Sequence, residues 1–401
     1  DVHSFGEIGQ RSWMAEFHEF WMEAKANGFG GSLDDYWLEL KAAKANKFST
    51  FAGKKPVNFA YHMNATAYAA YLRDKSEKAG VKRVEGRIEQ IQNDQTGNIS
   101  SLILEGGEQV LGDVFIDCTG FRGLLIGDNL DVEYEDWSHW LAADSAIAVQ
   151  TQSVEAPRPY TRSIAHSAGW QWRIPLQPRV GNGLVYCSRY YSQQEATQAL
   201  LENIEGEVLT DPLHIKFRTG QRRKHWSKNC VALGLSAGFI EPLESTSIHL
   251  IQRGILRLIQ LFPSNGIDAI DRQEFNRQTD LEMHSIRDFI ILHYHVNERQ
   301  DSGFWRHCRD MSIPETLANR IELFKQSGRF FHEGDELFGE YSWSQVMLGQ
   351  GIMPRSYHPI VDLMSTNELK AFLDNIRAPI GQALNAMPLH HQYIERYCKT
   401  D

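Results

Sequence analysis

The chain has 401 residues, of which 42% are hydrophobic and 23% charged, a composition that excludes a disordered, collagenous or coiled-coil protein. Lys and Arg number 41 against 51 Asp and Glu, a net charge of −10 without any dense basic run, which argues against nucleic acid or an anionic membrane as partner. No apolar run reaches the roughly 18 residues of a membrane span, and five scattered cysteines without C-x-x-C argue against a disulfide framework or a structural zinc and fit a cytoplasmic location.

Asp1-Val2-His3-Ser4-Phe5-Gly6 carries no feature of a signal peptide and reads as mid-domain text, so a preceding segment is expected. Residues 12–27 place Trp13, Phe17, Phe20, Trp21 and Ala24 at helical spacing before Gly28, and Ser32 with Asp35 resembles the start of another helix. A third helix is predicted over 64–79, ending at Gly80. The period then changes to strands at 81–91, 100–105 and 110–117, with a turn at 93–98. Further strands are predicted at 144–151, 170–176 and 183–189, the last two joined by Gly181-Asn182-Gly183. The apolar run 229–235 suits a buried strand, and the text from about 246 onward is mostly helical. The expected architecture is α/β, with a body over 1–265 and a helical layer over 266–401, which the helices in 12–50 could join.

Four stretches could carry chemistry. Gly234-Leu235-Ser236-Ala237-Gly238 matches the G-x-S-x-G elbow of serine hydrolases. Phe239-Ile240-Glu241-Pro242 follows where a helix should begin at once, so a close-approach turn is the better reading and Ser236 as nucleophile the rival. Glu241-Pro242-Leu243-Glu244-Ser245-Thr246-Ser247 leads into a helix with Ile248, Ile251, Ile255, Leu258 and Phe262 on one face. Ser245 or Thr246 could cap that helix, whose free N–H groups suit a small anion beside the carboxyl of Glu244. Trp170 and Trp172 stand two apart on a predicted strand and so share a face. His293-Tyr294-His295 and His390-His391 lack a third ligand at usable spacing and read as packed or surface histidines, with no metal expected. Glu336–Glu340 reads as a solvated acidic face.

Trp170-x-Trp172-x-Ile174-Pro175 resembles the W-x-W-x-I-P signature of flavin-dependent halogenases of the tryptophan halogenase type. Phe239 to Thr246 resembles the second hallmark of that family. His3-Ser4-Phe5-Gly6, Asp117 to Gly123, and His293-Tyr294 through Trp305 agree with it as well. The resemblance implies an FAD-binding, flavin-monooxygenase-like body, Rossmann-like with mixed sheets, and a mainly helical substrate layer. It also implies that reduced FAD from a separate flavin reductase, with O2, turns chloride or bromide into hypohalous acid, which halogenates an electron-rich, indole-like ring. By the same resemblance Glu244 and Ser245 hold the catalytic position, and the amides of Thr246 and Ser247 hold the halide. Leu235, Ile248, Ile88, Trp170 and Trp172 match flavin-side positions, and His3, Phe5, Phe338 and Glu333 match substrate-side positions.

Three departures stand out. No G-x-G-x-x-G follows a strand, since Asn27 to Gly31 sits between helices, so that fingerprint and the family's lysine are expected before Asp1. Ser247 stands where the family has Gly, which is harmless only in helical backbone. Leu337-Phe338 and Gln326-Ser327 replace the aromatic pairs that clamp free tryptophan, so an aromatic substrate without the amino-acid group is expected. A flavin hydroxylase of the same fold is the nearest rival function.

Overall fold

The computed structural model describes residues 3–10, 12, 14–264 and 266–399. Helical periodicity at the start of the chain becomes α1 (Phe17–Ala26), which begins later than expected at the capping box of Glu16 and Glu19; Trp13 lies outside the described residues. Ser32 opens only one 3-10 turn, Leu33–Tyr36, and caps nothing with its side chain. After it comes α2 (Leu38–Lys44). Phe17, Phe20, Trp21, Tyr36, Trp37 and Leu40 are buried with Leu369, Leu373 and Ile376 from near the C-terminus. The early helices thus share a core with the last third of the chain.

A small hairpin, β1 (Phe51–Ala52) and β2 (Lys55–Pro56), precedes α3 (Ala65–Lys78), which Asn64 caps through its side-chain oxygen. Tyr68, Tyr71 and Leu72 on α3 face outward. Strands β3 (Ile88–Asn93), β4 (Ile99–Leu104) and β5 (Gln109–Leu111) form an antiparallel sheet. Asp94 closes the β3–β4 turn by accepting the amides of Thr96 and Asn98, with Gly97 at φ +81°, a backbone region glycine enters without steric cost. The strand expected over 110–117 is broken, because β6 (Phe115–Asp117) leaves that sheet to pair in parallel with residues 230–232.

After β7 (Tyr134–Asp136) come the long strands β8 (Ser145–Gln152), β9 (Arg162–His166), β10 (Gly169–Pro175) and β11 (Arg179–Tyr186), then α4 (Gln193–Leu201) and β12 (Leu213–Lys216). They make a five-stranded antiparallel sheet in the order β12-β8-β11-β10-β9. One face packs Ile147, Val149 and Leu184 against Ala196 and Leu200 of α4. The other presents Trp170 and Val185 to the helical side. Gly181-Asn182-Gly183 is not the turn but lies inside β11, paired with β8 and β10; the turn is at 176–179, where the amide of Leu176 reaches the carbonyl of Arg179 at 2.8 Å. Gly183 is needed for a different reason. It pairs with Trp172, and a Cβ there would sit 2.0 Å from the indole Cζ2.

Short strands β13 (Gly220–Arg222), β14 (Trp226–Ser227), β15 (Cys230–Ala232) and β16 (Gly238–Phe239) complete the body, with β15 fully buried as its apolar run implied. The helices follow: α5 (Ser247–Gln260), α6 (Ala269–His295), α7 (Gly303–Asp310), α8 (Glu315–Ser327), α9 (Glu340–Gly349), α10 (Thr366–Ala386) and α11 (His390–Tyr397). The architecture is mixed α/β. Helix α6 is its axis, with Ile286 and Phe289 to Leu292 all inaccessible in one core with Trp170, Phe304, Phe324 and Trp343. Each such large apolar side chain contributes about 1.5–3 kcal/mol when buried. Glu336 is not on a solvated face: it pairs with Arg320 in the interior, whose guanidinium lies over Phe330 and Trp343 at 5.0 and 4.9 Å. All five cysteines are free, and among the described residues no helix is long and apolar enough to cross a membrane.

Replacing Gly183 with Ala is expected to destabilise the protein by about 1–3 kcal/mol through overpacking against Trp172, read as a lower Tm; an unchanged Tm contradicts the assigned register.

Candidate active site

The site begins where β15 ends. Gly234, at φ +68°, opens a 3-10 turn that approaches Ile251 of α5. Ser236 is buried, and its hydroxyl is bonded to the carbonyls of Asp117 and Leu233. With its proton committed to backbone and β16 in place of a helix behind it, it cannot serve as a nucleophile. The hydrolase reading is therefore set aside.

After β16 the chain makes a second 3-10 turn, Pro242–Glu244, and Ser245 follows at φ +54°, ψ +36°. A non-glycine residue in that left-handed region is uncommon and costs free energy unless its surroundings hold it. Here the Ser245 amide donates to the Pro242 carbonyl at 3.0 Å. Thr246 is already helical, at φ −79° and ψ −12°, so neither it nor Ser245 caps α5 through a side chain. The expected side-chain cap is absent because a cap needs extended backbone to swing its oxygen over the first turn. The Thr246 hydroxyl oxygen is left buried without a partner. Ser247 has no positive φ, so replacement of the family's Gly brings no strain. The amides of the first turn of α5 have no acceptor within the helix, and the helix dipole adds positive potential there.

Glu244 projects from this turn into a cluster of rings. His3 Nδ1 lies 3.0 and 3.1 Å from its two carboxylate oxygens, and His293 Nε2 of α6 lies 3.1 Å from Oε1. The Nδ1 of His293 meets the Phe289 carbonyl at 2.8 Å, which turns Nε2 toward Glu244. Burial works to raise the Glu244 carboxyl, but the two histidines outweigh it and hold it at about 2. Reciprocally, burial works against charge on His293, and Glu244 reverses this so that its proton is held more tightly than in water. Phe338 stacks on Phe289 at 4.0 Å, and His3 lies 5.7 and 6.4 Å from these rings. The three polar side chains offer ligand atoms all within 4.8 Å of one another, a donor set that a divalent cation could also take.

Behind this cluster lies a second carboxyl. Glu241 is 0% exposed and accepts hydrogen bonds from the Trp170 indole at 3.1 Å and the Tyr294 hydroxyl at 2.5 Å. Burial pushes it up to about 7, with those two bonds opposing. Trp170 and Trp172 are 6.1 Å apart on one face of β10. Trp170 is only 4% exposed, so of the pair Trp172 keeps the accessible surface.

His3, Glu244 and Phe338 thus come together, with Ser245, Thr246 and Ser247 continuous with them. Phe5 does not join them: its side chain is 60% exposed and only its carbonyl is engaged, by the Trp37 indole. Glu333 is exposed on a loop, and Ile88 lies on the separate β3 sheet. Leu235 and Ile248 are exposed apolar side chains. Leu235 lines a small, open cavity of about 250 Å³ with Phe121, Tyr134, Lys216, Phe217 and Arg218. Sequence reasoning takes His293 as a packed or surface histidine and gives Glu241, inside the hallmark stretch, no role of its own. Their contacts join α6 to a loop some fifty residues earlier, and the available signals are the His293-Tyr294 pair and the Phe239–Thr246 stretch of the family resemblance.

The family model for tryptophan halogenase matches residues 1–366. The chain belongs to the tryptophan halogenase family. A tryptophan 7-halogenase from Lentzea aerocolonigenes is 30% identical, over 98% of this chain and 79% of that protein. A tryptophan 6-halogenase from Streptomyces toxytricini is 33% identical, over 86% of this chain and 67% of that protein. A flavin-dependent halogenase from Xanthomonas campestris is 53% identical with a TM-score of 0.97, covering 100% of this chain and 81% of that one. One from Brevundimonas sp. BAL3 is 42% identical with a TM-score of 0.95, covering 98% of this chain and 82% of that one. The tryptophan halogenase family consists of flavin-dependent enzymes, and this chain is a flavin-dependent halogenase.

The paired charges predict a pH signature. The low carboxyl of Glu244 stabilises the fold fully above its ordinary 4.5 and loses that contribution as pH falls toward about 2. The raised imidazole of His293 contributes fully below its ordinary 6.5 and loses that contribution as pH rises past its folded value. The stability difference between the wild type and Glu244→Gln, from denaturant titrations, is expected to be largest between these limits and to shrink on both sides. A difference that does not vary with pH contradicts the pairing.

Proposed function

We propose that this chain halogenates an electron-rich, indole-like ring that lacks a free amino-acid group, using chloride or bromide and reduced FAD delivered by a separate flavin reductase. The observation that carries the reading is an ionised Glu244 beside the open first turn of α5, inside a box of aromatic rings.

Bound FAD, reduced and supplied with O2, provides the oxidising equivalents that convert halide to hypohalous acid. Leu235, Ile248, Ile88 and Trp172 are the side chains assigned to it, with Trp170 as the fixed partner of Trp172. The division assigned is a flavin-binding body over 1–265 and a substrate layer over 266–401, with the α1–α2 segment joined to the latter through the core it shares with α10.

The rest is the work of this chain's own residues. The amides of Thr246 and Ser247 hold the halide, the buried Thr246 hydroxyl being free to donate as well. Ser245, in its left-handed backbone, separates that anion site from Glu244 along the chain. His3 and Phe338 flank the aromatic substrate with Phe289. As the ring gains the halogen it becomes cationic, and Glu244 stabilises that charge and takes the ring proton. A carboxylate with so low a pKa is a weak base, but a cationic ring sheds its proton readily. Assigned roles for Phe5 and Glu333 would require both to turn inward from their exposed positions. With Glu333 outside the cluster and Glu244 already paired with two imidazoles, the site favours an indole-like ring over free tryptophan.

The test uses the full-length enzyme with FAD, a flavin reductase, bromide, and indole or tryptophan. Bromide-dependent bromoindole formation, preferred over turnover of tryptophan, is expected, and Glu244→Gln should lower it by about 100-fold or more. Hydroxylated product irrespective of halide establishes the hydroxylase instead, and a strong preference for tryptophan overturns the substrate assignment.

A further inference from the structure

Glu241 is not needed to bind halide, ring or flavin, yet it is a carboxyl placed wholly inside an apolar core. Buried acids are kept only where their surroundings hold them, and an unmatched one marks a functional site more often than an accident. Its Oε1 takes two donors, the Trp170 indole from β10 and the Tyr294 hydroxyl from α6. Its Oε2 is equally buried and has no hydrogen-bond partner. The carboxyl therefore pins three separate elements to one atom: the Trp strand, the central helix, and the turn that leads to Glu244.

The turn is stitched a second time one residue away. Tyr294 holds Glu241 while the adjacent His293 meets Glu244. Two consecutive residues of α6 thus grip the loop at positions three apart, immediately before Ser245 forces the chain through its left-handed bend. With both ends of the Pro242–Glu244 turn tied to α6, the amides that follow have one orientation available.

We propose that Glu241 is a positioning residue, a buried clasp that fixes the halide-holding amides of Thr246 and Ser247 against the Trp170 strand and α6. The clasp rests on the halide reading of that turn given above. It also gives the site a pH dependence. The groups that face Glu241 are Trp170 from β10, His293 and Tyr294 from α6, and Cys308 from α7. Only His293 among them brings a positive charge, and that charge is already matched by Glu244. Burial places the Glu241 carboxyl near neutrality, at about 7. When it loses its proton, a second buried negative charge is added behind the halide turn, and an anion at the start of α5 is held less well.

The experiment has two arms on the full-length protein. In the first, the indole N–H resonance of Trp170, identified by its loss in Trp170→Phe, is followed by NMR against pH. It is expected to shift with a midpoint near neutrality in the wild type and to stay put in Glu241→Gln. In the second, the KM for bromide is measured across the same pH range in the wild type, Glu241→Gln and Glu241→Leu. The wild-type KM is expected to rise through that midpoint, the Gln variant to lose the rise, and the Leu variant to raise KM by roughly tenfold as the clasp is lost. An indole resonance that ignores pH, or titrates equally in the Gln variant, overturns the clasp. A titrating indole with a wild-type bromide dependence in both variants overturns its positioning role. A titrating indole in a wild-type enzyme that makes no bromide-dependent product contradicts the halogenase reading instead, and leaves the contact between Glu241 and Trp170 standing.

Discussion

Two carboxyl groups sunk into an aromatic core, three residues apart on one loop, constrain everything around them. An acid in such a place must be neutralised, hydrogen-bonded or paired, and the fold supplies a different answer to each. Glu244 is met by two imidazoles and stays ionised. Glu241 is met by two neutral donors on one oxygen and sits close to the point of protonation. Environments that push two carboxyls apart in this way are a recurrent means of giving adjacent acids different tasks.

The consequences spread outward through α6. That helix is buried over its last turns because it carries both partners, His293 and Tyr294, to the loop while its apolar side chains fill the space between the five-stranded sheet and α7 to α9. The five-stranded sheet in turn gives up a side chain at Gly183 so that Trp172 can lie across it, and Trp170 can then reach Glu241 with its single donor. The left-handed Ser245 is the price of this double attachment. It lets the chain leave a pinned turn and enter a helix whose amides remain open.

Much of this was legible in the residues. The two tryptophans at alternate positions of a strand and the apolar run of β15 follow from periodicity alone, whereas the apolar face expected on α5 is largely exposed, Ile248, Ile255 and Phe262 included. The family resemblance pointed to Glu244 and to the turn beside it. What misled was local grammar read without its tertiary setting. Gly181-Asn182-Gly183 has the composition of a turn but is strand, because a neighbouring indole needs the space. Ser245-Thr246 has the composition of a cap, yet Ser245 is left-handed and Thr246 already helical, so neither side chain caps α5 and the buried Thr246 hydroxyl stays without a partner. His293 reads as a packed histidine because its partners, Glu244 and His3, are separated from it by long stretches of chain. Glu336 reads as solvated because nothing in its neighbourhood foretells the Arg320 that covers it. In each case a short-range signal was outweighed by a contact that only the assembled fold provides.

The central claim is that a halide rests on the amides where α5 opens, one turn of chain from an ionised Glu244. A crystal of the full-length protein grown with FAD and bromide, measured at the bromine absorption edge, tests it directly. The account predicts an anomalous peak within hydrogen-bonding distance of the Thr246 and Ser247 amides. A bromide found elsewhere in the site, or that corner filled by side chains with the amides satisfied internally, would contradict it.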